Sequence, residues 1–367
     1  MNKKLKISII GSRGYPYVYS GYETLVKELS QRLVSKGHSV RVYCHSSLFK
    51  KKSKFVNGIE LIYTPSIETK FLSQISNSLF SFLHVCFSKT DIVLVVNSAN
   101  GPFGLFTKIA GKKTCINVDG LEWLRPKWKG LGSIYFKFAS KLATILFDSL
   151  ITDSTEMKKI YTDLFAKSST TIAYGSTMSI SSKKYKLRNY ELIQNEYYLI
   201  VGRLIPDNNS KIIIDGFLKS NSKKKLVIVG DVPYSDKYAT EIRKISSKKI
   251  ICLGYINCQD ELSQLYNNCF GYVHGHEFGG TNPTMINALK LNCEILSIDT
   301  AFTREMLKNK EVIYFNKQTN SIKNSFLNFE NKIHLLIKNN QEYKFPKKYD
   351  WGKITTQYEK LFKNLIN

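Results

Sequence analysis

Short apolar runs that end at a glycine recur along this chain of 367 residues. The run at 5–10 stops at Gly11, and the segment 23–36 that follows places its apolar residues at helical spacing. Gly37 stands where a glycine commonly ends a helix, and another apolar run follows at 39–44. A strand, a loop, a helix and a second strand in this order predict the start of a parallel, doubly wound α/β sheet.

This alternation of strands and helices runs twice along the chain. In the first series, further strands are predicted at 91–96 and 114–118. In the second series, strands are predicted at 197–201, 226–229, 250–253, 270–274 and 294–298, and helices at 212–218, 261–267 and 283–291. A polar, Lys- and Ser-rich stretch at 179–188 joins the two series, as a linker would. We therefore expect an N-terminal Rossmann-like domain, 1–180, and a second one, 190–345.

The composition excludes some classes of protein, and the charge points to a kind of partner. With 43% hydrophobic and 13% aromatic residues, the chain is too apolar to be disordered. It carries 54 Lys and Arg against 29 Asp and Glu, a net charge of +25. Such a balance favours an anionic partner, which is nucleic acid, an anionic membrane or a phosphorylated substrate. The alternative is a general excess of lysine on solvated surfaces.

The stretch 108–141 is denser in positive charge, with eight basic and two acidic residues. Its aromatic residues are Trp123, Trp128, Tyr135, Phe136 and Phe138. Basic residues mixed with aromatic ones suit an anionic membrane surface, so we expect this stretch, including Lys127 and Lys129, to contact one.

The sequence also bears on the location of the protein. No apolar run reaches the roughly 18 residues of a spanning helix, and no secretion signal is recognised at the N-terminus. The seven cysteines are odd in number and form no C-x-x-C pair, so buried thiols of a reducing compartment are expected rather than disulfides or a zinc site. We expect a cytoplasmic protein that associates peripherally with the inner face of the cell membrane.

A glycine-containing loop follows the first predicted strand. It comprises GSRG at 11–14 and, just before the first helix, SGYE at 20–23. Glycines here let the backbone approach an anion, and the start of the helix offers N–H groups and the positive end of its dipole. The dinucleotide fingerprint G-x-G-x-x-G and the phosphate loop G-x-x-x-x-G-K-[ST] are both missing, and many first turns of this kind need glycine for packing alone.

A second glycine-rich loop, HGHEFGGTNPT at 274–284, leads into a predicted helix whose first turn holds Pro283. The N–H groups at the start of that helix, the Thr281 hydroxyl and the Asn282 amide would together cradle a diphosphate. The alternative is a metal site at the two histidines and Glu277. It is less favoured, because H-x-H at the end of a strand lacks a further ligand nearby.

Arg203 follows the first strand of the second series directly, in the sequence GRLIPDNN. Its planar guanidinium suits phosphate oxygens. The alternative is an ordinary surface arginine. The position at the carboxyl end of a strand argues against this alternative, because parallel sheets bind their ligands at that edge.

Two carboxylates follow another predicted strand, in the sequence NVDGLEW at 117–123. A carboxylate here could meet a sugar hydroxyl or a developing positive charge. The alternative is a turn or cap residue. For Asp119 both interpretations stay open, and for Glu122 the turn is favoured.

These motifs, in this order, resemble the GT-B glycosyltransferases of glycosyltransferase family 4, with a closer likeness to bacterial rhamnosyltransferases of polysaccharide synthesis. The segments that carry the likeness are GSRGYPYVYSGYETLVKEL, NVDGLEW, VGRLIPDNN, LGYI, HGHEFGGTNPTMINAL and FTREM, followed by YDWGKITTQYEKL near the C-terminus. The resemblance implies an α/β fold of the GT-B type, with two Rossmann-like, doubly wound domains facing each other across a cleft. It also implies a C-terminal helix, 351–366, that packs back on the first domain.

The resemblance further implies a retaining transferase that moves a sugar from a nucleotide-sugar donor, here L-rhamnose from dTDP-L-rhamnose. The acceptor would be a lipid-diphosphate-linked saccharide or a growing polysaccharide of the capsule or cell envelope. No tightly bound metal or other cofactor is implied. The protein would stabilise the leaving diphosphate while an oxocarbenium-like sugar forms.

Site residues follow from the resemblance position by position. Catalytic roles are implied for Asp119, Gly21 and Glu23. The implied donor-binding residues are Arg203, Asn208, Gly254, Tyr255, Gly279, Gly280, Thr281, Asn282 and Asn287. The residues expected on the acceptor side are Arg13, Tyr22, Glu122 and Trp123.

Two positions depart from the family pattern. Asn208 stands where a lysine is usual, and Asn287 stands where a glutamate usually grips the nucleotide ribose. An amide there loses the charge assistance of a carboxylate. The chain could therefore be a sugar-nucleotide-binding paralogue with weakened catalysis that scaffolds polysaccharide assembly. Nucleic-acid binding is a third hypothesis, but the sequence contains no recognised module for it.

Overall fold

The computed structural model describes residues 4–17, 21–67, 69, 72–126, 128, 130–180, 187–232, 235–245 and 247–367, apart from the side chains of residues 188 and 189. Lys127, Lys129 and most of the expected linker, 181–186, lie outside this range. The chain divides into two compact units, one of residues 1–175 with 347–367 and the other of residues 176–346. The division falls at residue 175, ahead of the polar stretch in which the sequence analysis placed the linker.

The strands are β1 (Lys6–Ile10), β2 (Ser39–His45), β3 (Phe55–Val56), β4 (Ile59–Thr64), β5 (Ile92–Val96), β6 (Thr114–Asn117), β7 (Ser149–Thr152), β8 (Thr170–Thr171), β9 (Tyr197–Val201), β10 (Lys225–Val229), β11 (Ile250–Gly254), β12 (Gly271–His274), β13 (Ile295–Ile298) and β14 (Ile313–Phe315). The helices are α1 (Gly21–Ser35), α2 (Leu72–Phe87), α3 (Gly104–Ile109), α4 (Leu131–Leu146), α5 (Thr155–Phe165), α6 (Ser210–Ser220), α7 (Lys237–Arg243), α8 (Gln259–Asn267), α9 (Pro283–Lys290), α10 (Ala301–Met306), α11 (Thr319–Asn339) and α12 (Trp351–Ile366). The strands and helices predicted from the pattern are confirmed, the strands to within one residue and the helices to within two.

Among its described residues, the first unit builds a sheet in the order β3-β4-β2-β1-β5-β6-β7-β8, parallel throughout except for the β3–β4 pair. Its central strands are apolar on both sides, and all five residues of β5 are buried. A parallel strand covered on both faces requires such a continuous apolar run. The order of strands reverses between β1 and β5. Ligands bind at such a reversal in sheets of this kind.

The C-terminal helix α12 belongs to the first unit and packs on α1. Asp350 caps its N-terminus by accepting a hydrogen bond of 3.0 Å from the Lys353 backbone N–H. The buried face of α12 includes Trp351, Tyr358 and Phe362. This helix therefore completes the layer that covers one face of the first sheet.

The second unit has a parallel sheet in the order β11-β10-β9-β12-β13-β14, counted over its described residues. Its core lies between the sheet and the helices. There Tyr198, Phe217 and Phe326 pack with ring edges against ring faces, and the ring of Phe329 is tilted against that of Tyr198. The order of strands reverses between β9 and β12. The loops that follow these two strands therefore define the expected ligand edge of this unit.

No helix in the described part of the chain is long and apolar enough to cross a membrane. None of the seven cysteines, all of them among the described residues, is in a disulfide bond, and Cys44, Cys115 and Cys293 are buried as expected. The expectation is wrong for Cys252, which is exposed because it lies on β11 at the edge of the second sheet.

Candidate functional site

In the second unit, the loops after β9 and β12 bring together two of the sequence motifs. Arg203 comes two residues after β9, and the glycine-rich loop follows β12 directly. Asn208 joins the two loops, because its amide nitrogen donates 2.7 Å to the carbonyl of Arg203 and its amide oxygen lies 2.8 Å from Nδ1 of His276. Asn208 therefore positions the backbone around Arg203, and the side-chain charge that a lysine would supply is missing.

Glycine is required where these two loops meet. A Cβ atom on Gly275 would lie 2.3 Å from the carbonyl oxygen of Asn208, far inside van der Waals contact. Asn209 adds a second link, since its amide donates 2.9 Å to the Gly275 carbonyl. The close approach of the two backbones places the partly exposed Arg203 beside the loop that leads into α9.

The predicted helix is confirmed as α9, which begins at Pro283. Asn282 is its N-cap, and its Oδ1 accepts hydrogen bonds from the Thr284 backbone N–H at 2.9 Å and from the Thr284 hydroxyl at 2.7 Å. Pro283 occupies the first turn, and Gly279 adopts φ = +134°, which favours glycine. The cap engages the oxygen of Asn282 with the Thr284 N–H, and Pro283 has no N–H, so the Asn282 NH₂ group and the positive end of the helix dipole are left to approach an anion.

Two tyrosines that the sequence analysis missed hold this helix start in place. Tyr272 is buried, and its hydroxyl lies 2.9 Å from the Thr284 hydroxyl and 3.1 Å from Nδ1 of His274. Tyr266, also buried, donates 3.1 Å to the Thr284 carbonyl. No sequence signal marks these tyrosines as different from other core aromatic residues.

His274 is a neutral core histidine. It is 3% exposed, and burial lowers its pKa to about 3, so the ring carries no charge at neutral pH. Within the described ranges, no group of three or more His, Cys, Asp or Glu side chains is arranged to hold a metal ion.

Glu277 is engaged away from α9. Its carboxylate accepts 2.7 Å from Lys317 Nζ and 3.4 Å from the amide of Asn209. Its backbone N–H donates 3.1 Å to the carbonyl of Asp207. These contacts tie the loop to its neighbours, so Glu277 does not take the place of the glutamate that the family carries at position 287.

Asn287 lies on α9, partly exposed, and its Oδ1 accepts a hydrogen bond of 2.7 Å from the Ser176 hydroxyl. Ser176 belongs to the same unit and also accepts 2.9 Å from the Met178 backbone N–H. The amide nitrogen of Asn287 remains as a donor toward a ligand hydroxyl.

Gly254 and Tyr255 stand at the outer side of this edge. Gly254 ends β11 with φ = +69°, and its carbonyl accepts 2.7 Å from the Gly230 backbone N–H after β10. Tyr255 is 63% exposed, whereas Ile256 is buried. The geometry leaves the Tyr255 ring available for stacking against a planar group.

In the first unit, the loop after β1 is held by a buried carboxylate. Glu23 is 4% exposed and accepts a hydrogen bond of 3.1 Å from the Arg13 backbone N–H. Gly11 has φ = +101°, and a Cβ there would lie 2.2 Å from the carbonyl oxygen of Val96. Glu23 thus fixes the loop to the first turn of α1, which begins at Gly21.

Asp119 lies at the carboxyl end of β6 between two tyrosines. The Tyr174 hydroxyl donates to Oδ2 of Asp119, and the Tyr22 hydroxyl donates 2.9 Å to its backbone carbonyl. Burial raises the pKa of the Asp119 carboxyl, although hydrogen bonds from the two tyrosines oppose this. Burial and then the Asp119 charge raise the pKa of Tyr174. No motif in the sequence marks Tyr174 as a partner of Asp119.

The remaining acceptor-side candidates are structural in part. Glu122 pairs with Nε of Arg125 at 3.0 Å and accepts 2.8 Å from Nε1 of Trp128, which agrees with a turn residue. Trp123 is 9% exposed and packs edge-on against Tyr161. Its indole belongs to the core of the first unit.

Comparisons with known proteins cover almost the whole chain. Residues 4–177 match a family described as a domain of unknown function (DUF1972), and residues 185–350 match the glycosyl transferases group 1 family. No curated protein matches the chain significantly by sequence. The second half of the chain is therefore similar to glycosyl transferases group 1.

The fold is similar to that of several solved glycosyltransferase structures. Sucrose-phosphate synthase from Thermosynechococcus elongatus matches with a TM-score of 0.81 at 14% identity over 99% of both chains. HepE from Anabaena in complex with UDP matches with a TM-score of 0.75 at 14% identity, over 98% of this chain and 100% of that one. The catalytic domain of starch synthase IV from Arabidopsis thaliana, bound to ADP and acarbose, matches with a TM-score of 0.71 at 12% identity, over 99% and 100%. The chain has the GT-B fold, with two Rossmann-like units built on parallel sheets.

Proposed function

We propose that this protein is a retaining glycosyltransferase of family 4 that moves L-rhamnose from dTDP-L-rhamnose to a lipid-linked or growing cell-surface polysaccharide. The observation that carries the proposal is the ligand edge of the second unit. There Arg203 and the start of α9 adjoin within a domain that matches glycosyl transferases group 1. HepE, which shares the fold, is described in complex with UDP and with UDP-glucose.

Each part of this edge has a chemical task in the proposed reaction. Arg203 pairs with the diphosphate through its planar fork, and the positive end of the α9 dipole and the Asn282 NH₂ stabilise the charge that develops on the leaving group. Asn287 donates to a ribose hydroxyl, and Tyr255 stacks on the nucleobase. In this proposal Arg203 and the start of α9 neutralise the diphosphate in place of a metal cation. Transfer therefore proceeds without a tightly bound metal and continues in the presence of a chelator.

The acceptor side belongs to the first unit in this proposal. Asp119 meets the reacting sugar or acceptor hydroxyl, and Glu23 and Gly21 shape the loop that receives the acceptor. The acceptor is a lipid-diphosphate-linked saccharide on the inner face of the cell membrane. The excess positive charge of the chain supports this, because one arginine and a helix terminus use very little of it.

A thermal-shift series tests the donor. Saturating dTDP-L-rhamnose is expected to raise the melting temperature more than UDP- and GDP-sugars, because a ligand at 100 times its Kd stabilises by about 2.7 kcal/mol. A radiolabelled transfer assay with membrane acceptor then tests the reaction. Absence of both stabilisation and transfer with every donor, in a folded protein, would reject the proposal.

A second candidate is a sugar-nucleotide-binding protein with weakened catalysis that scaffolds polysaccharide assembly. It is favoured by Asn287, which replaces the usual charged residue at the ribose. Donor stabilisation without transfer to any membrane acceptor would select this candidate.

A further inference from the structure

Three helices of the first unit expose large apolar side chains to solvent. The strongest cases, one on each of α2, α3 and α4, are Phe87 at 91%, Ile109 at 77% and Leu131 at 85% exposure. Apolar side chains exposed this far are unremarkable when single, but a contiguous group marks an interaction surface.

The exposed residues form stripes with helical spacing. On α4, Leu131, Ile134, Phe138 and Ile145 follow one another at intervals of three, four and seven residues, so they share one face. The opposite face of α4 is buried in the unit and holds Phe136, Ala139 and Ala143. On α2, Phe80, Leu83 and Phe87 repeat the same spacing.

Topology places the three stripes on one side of the sheet. The connections β4 to β5, β5 to β6 and β6 to β7 all run in one direction across the strand order, while β1 to β2 runs in the other. Parallel crossovers are right-handed, so α2, α3 and α4 lie on one face of the sheet and α1 on the other. The helix α3 packs against both α2 and α4. The outward stripes therefore form one continuous surface, named here the α2–α4 face.

The charge on the α2–α4 face is of one sign. None of the three helices contains an Asp or Glu residue. Exposed lysines lie among the apolar residues at Lys108, Lys137 and Lys141. Lys108 Nζ also donates 3.2 Å to the carbonyl of Ile145, which keeps its charge beside the end of α4.

We propose that the α2–α4 face docks on an anionic lipid bilayer. Apolar side chains that can enter the acyl boundary, together with lysines and an absence of carboxylates, match an anionic lipid surface. A second copy of the chain fits less well, because its own α2–α4 face would bring like charges together. This proposal rests on the membrane part of the proposed function and locates it on a defined surface.

The surface differs from the one that the sequence indicated. Of the five aromatic residues expected to contact the membrane, Trp123 and Phe136 are buried, and the Tyr135 hydroxyl donates 2.9 Å to the carbonyl of Ala99. Trp128 packs on Phe136, and only Phe138 is exposed. The proposed contact therefore depends mainly on exposed aliphatic residues. It also includes α2, which contributes apolar side chains but no lysine.

Vesicle flotation tests the proposal, with vesicles of phosphatidylglycerol mixed with phosphatidylcholine and vesicles of phosphatidylcholine alone. The wild-type protein is expected to float with the anionic vesicles at least roughly tenfold more than with the neutral ones, and less so as salt is added. Two double variants, I134D/F138D and K137E/K141E, should each lower flotation with anionic vesicles by roughly tenfold or more.

Matched controls use α11 in the second unit, where Leu335 and Lys332 are exposed. L335D and K332E should float like the wild type, and circular dichroism should show every variant folded. Equal flotation of the α4 variants and the wild type, or no preference of the wild type for anionic vesicles, would overturn the proposal. A self-associating wild type that becomes monomeric in I134D/F138D would assign the face to a second copy instead.

Two further measurements distinguish a failure of this proposal from a failure of the proposed function. Donor-induced thermal stabilisation and transfer to a soluble acceptor analogue should be unchanged in both α4 double variants. Transfer without anionic-vesicle binding would refute the docking face and leave the enzyme standing. Anionic-vesicle binding without donor stabilisation or transfer would support the docking face and refute the proposed function.

Discussion

The Ser176 hydroxyl donates a hydrogen bond of 2.7 Å to the amide oxygen of Asn287 on α9. The oxygen of Asn287 is therefore already used, and its NH₂ group is the part that can meet a ligand. A carboxylate at this position would instead offer acceptors to both Ser176 and a ribose hydroxyl. The pairing indicates that the site is organised around an amide.

Replacing Asn287 by Ala should weaken donor binding by about fivefold to tenfold, since it removes one neutral hydrogen bond worth about 1 kcal/mol. Replacing it by Glu should leave donor affinity and transfer rate unchanged or lower. Titration calorimetry with the nucleotide sugar and initial rates give both quantities. S176A serves as the control for the loss of the pairing alone. A large gain of activity in N287E would show instead that the native site is degenerate.

Replacing Arg203 by Ala should raise the Kd for the donor by about 30- to 160-fold, because a charge-assisted hydrogen bond to phosphate contributes about 2–3 kcal/mol. R203K should recover part of the affinity, since lysine keeps the charge and loses the fork. The same calorimetric titration measures both variants. K332A, on the exposed side of α11, should bind the donor like the wild type. An unchanged Kd in R203A would place the diphosphate elsewhere.

Replacing Asp119 by Asn should lower kcat by at least roughly tenfold while the donor Kd changes by less than about twofold, if the carboxylate acts on the reacting groups. Steady-state rates and calorimetry separate the two effects. Y174F, which removes the hydroxyl that donates to Asp119, should lower kcat in the same direction but less. Wild-type rate and wild-type stability in D119N would return Asp119 to a turn residue.

The first unit should lose stability in acid as Glu359 on α12 becomes protonated. Hydrogen bonds from Lys36 at 2.8 Å and Lys363 at 2.6 Å lower the pKa of Glu359 from 4.5 to about 2. A lowered folded-state pKa contributes stability that is complete above pH 4.5 and is lost as the pH falls toward 2. The contribution at pH 7 is about 1–2 kcal/mol after allowance for solvent around the exposed Lys36.

Denaturant unfolding of the wild type and E359Q between pH 7 and pH 2 measures this contribution. The difference in free energy of unfolding should be largest at pH 7 and should shrink below pH 4.5. E342Q, at an exposed position, should unfold like the wild type throughout. A difference between the wild type and E359Q that does not change with pH would contradict the assignment of this ion pair.

Much of the fold was predictable because the pattern is strong where strands are covered on both faces. The run at 92–96 is apolar without interruption, and it forms the fully buried β5. Short or mixed segments escaped prediction. The two-residue strands β3 and β8 carry no periodicity, and α11 mixes polar and apolar residues over 21 positions.

The candidate site was only partly predictable for a related reason. Pro283 stands in the first turn of α9 as predicted, because the preference of proline for that position is local. The partners of Asp119 and Asn287 are Tyr174 and Ser176, which lie 55 and 111 residues away along the chain. Such pairings depend on which strands are neighbours in the sheet. The local spacing of residues does not predict that order.

The sequence by itself determined the two series of strands and helices, the glycines at strand ends, the start of α9 at Pro283 and the place of Arg203 after β9. Only the tertiary structure decided which side chains from different elements contact each other. It placed Tyr174 against Asp119, and it placed Glu277 against Lys317 rather than at α9. The physical reason is that a repeat of apolar residues fixes which face of an element is buried, while the crossover direction and strand order fix what each face meets.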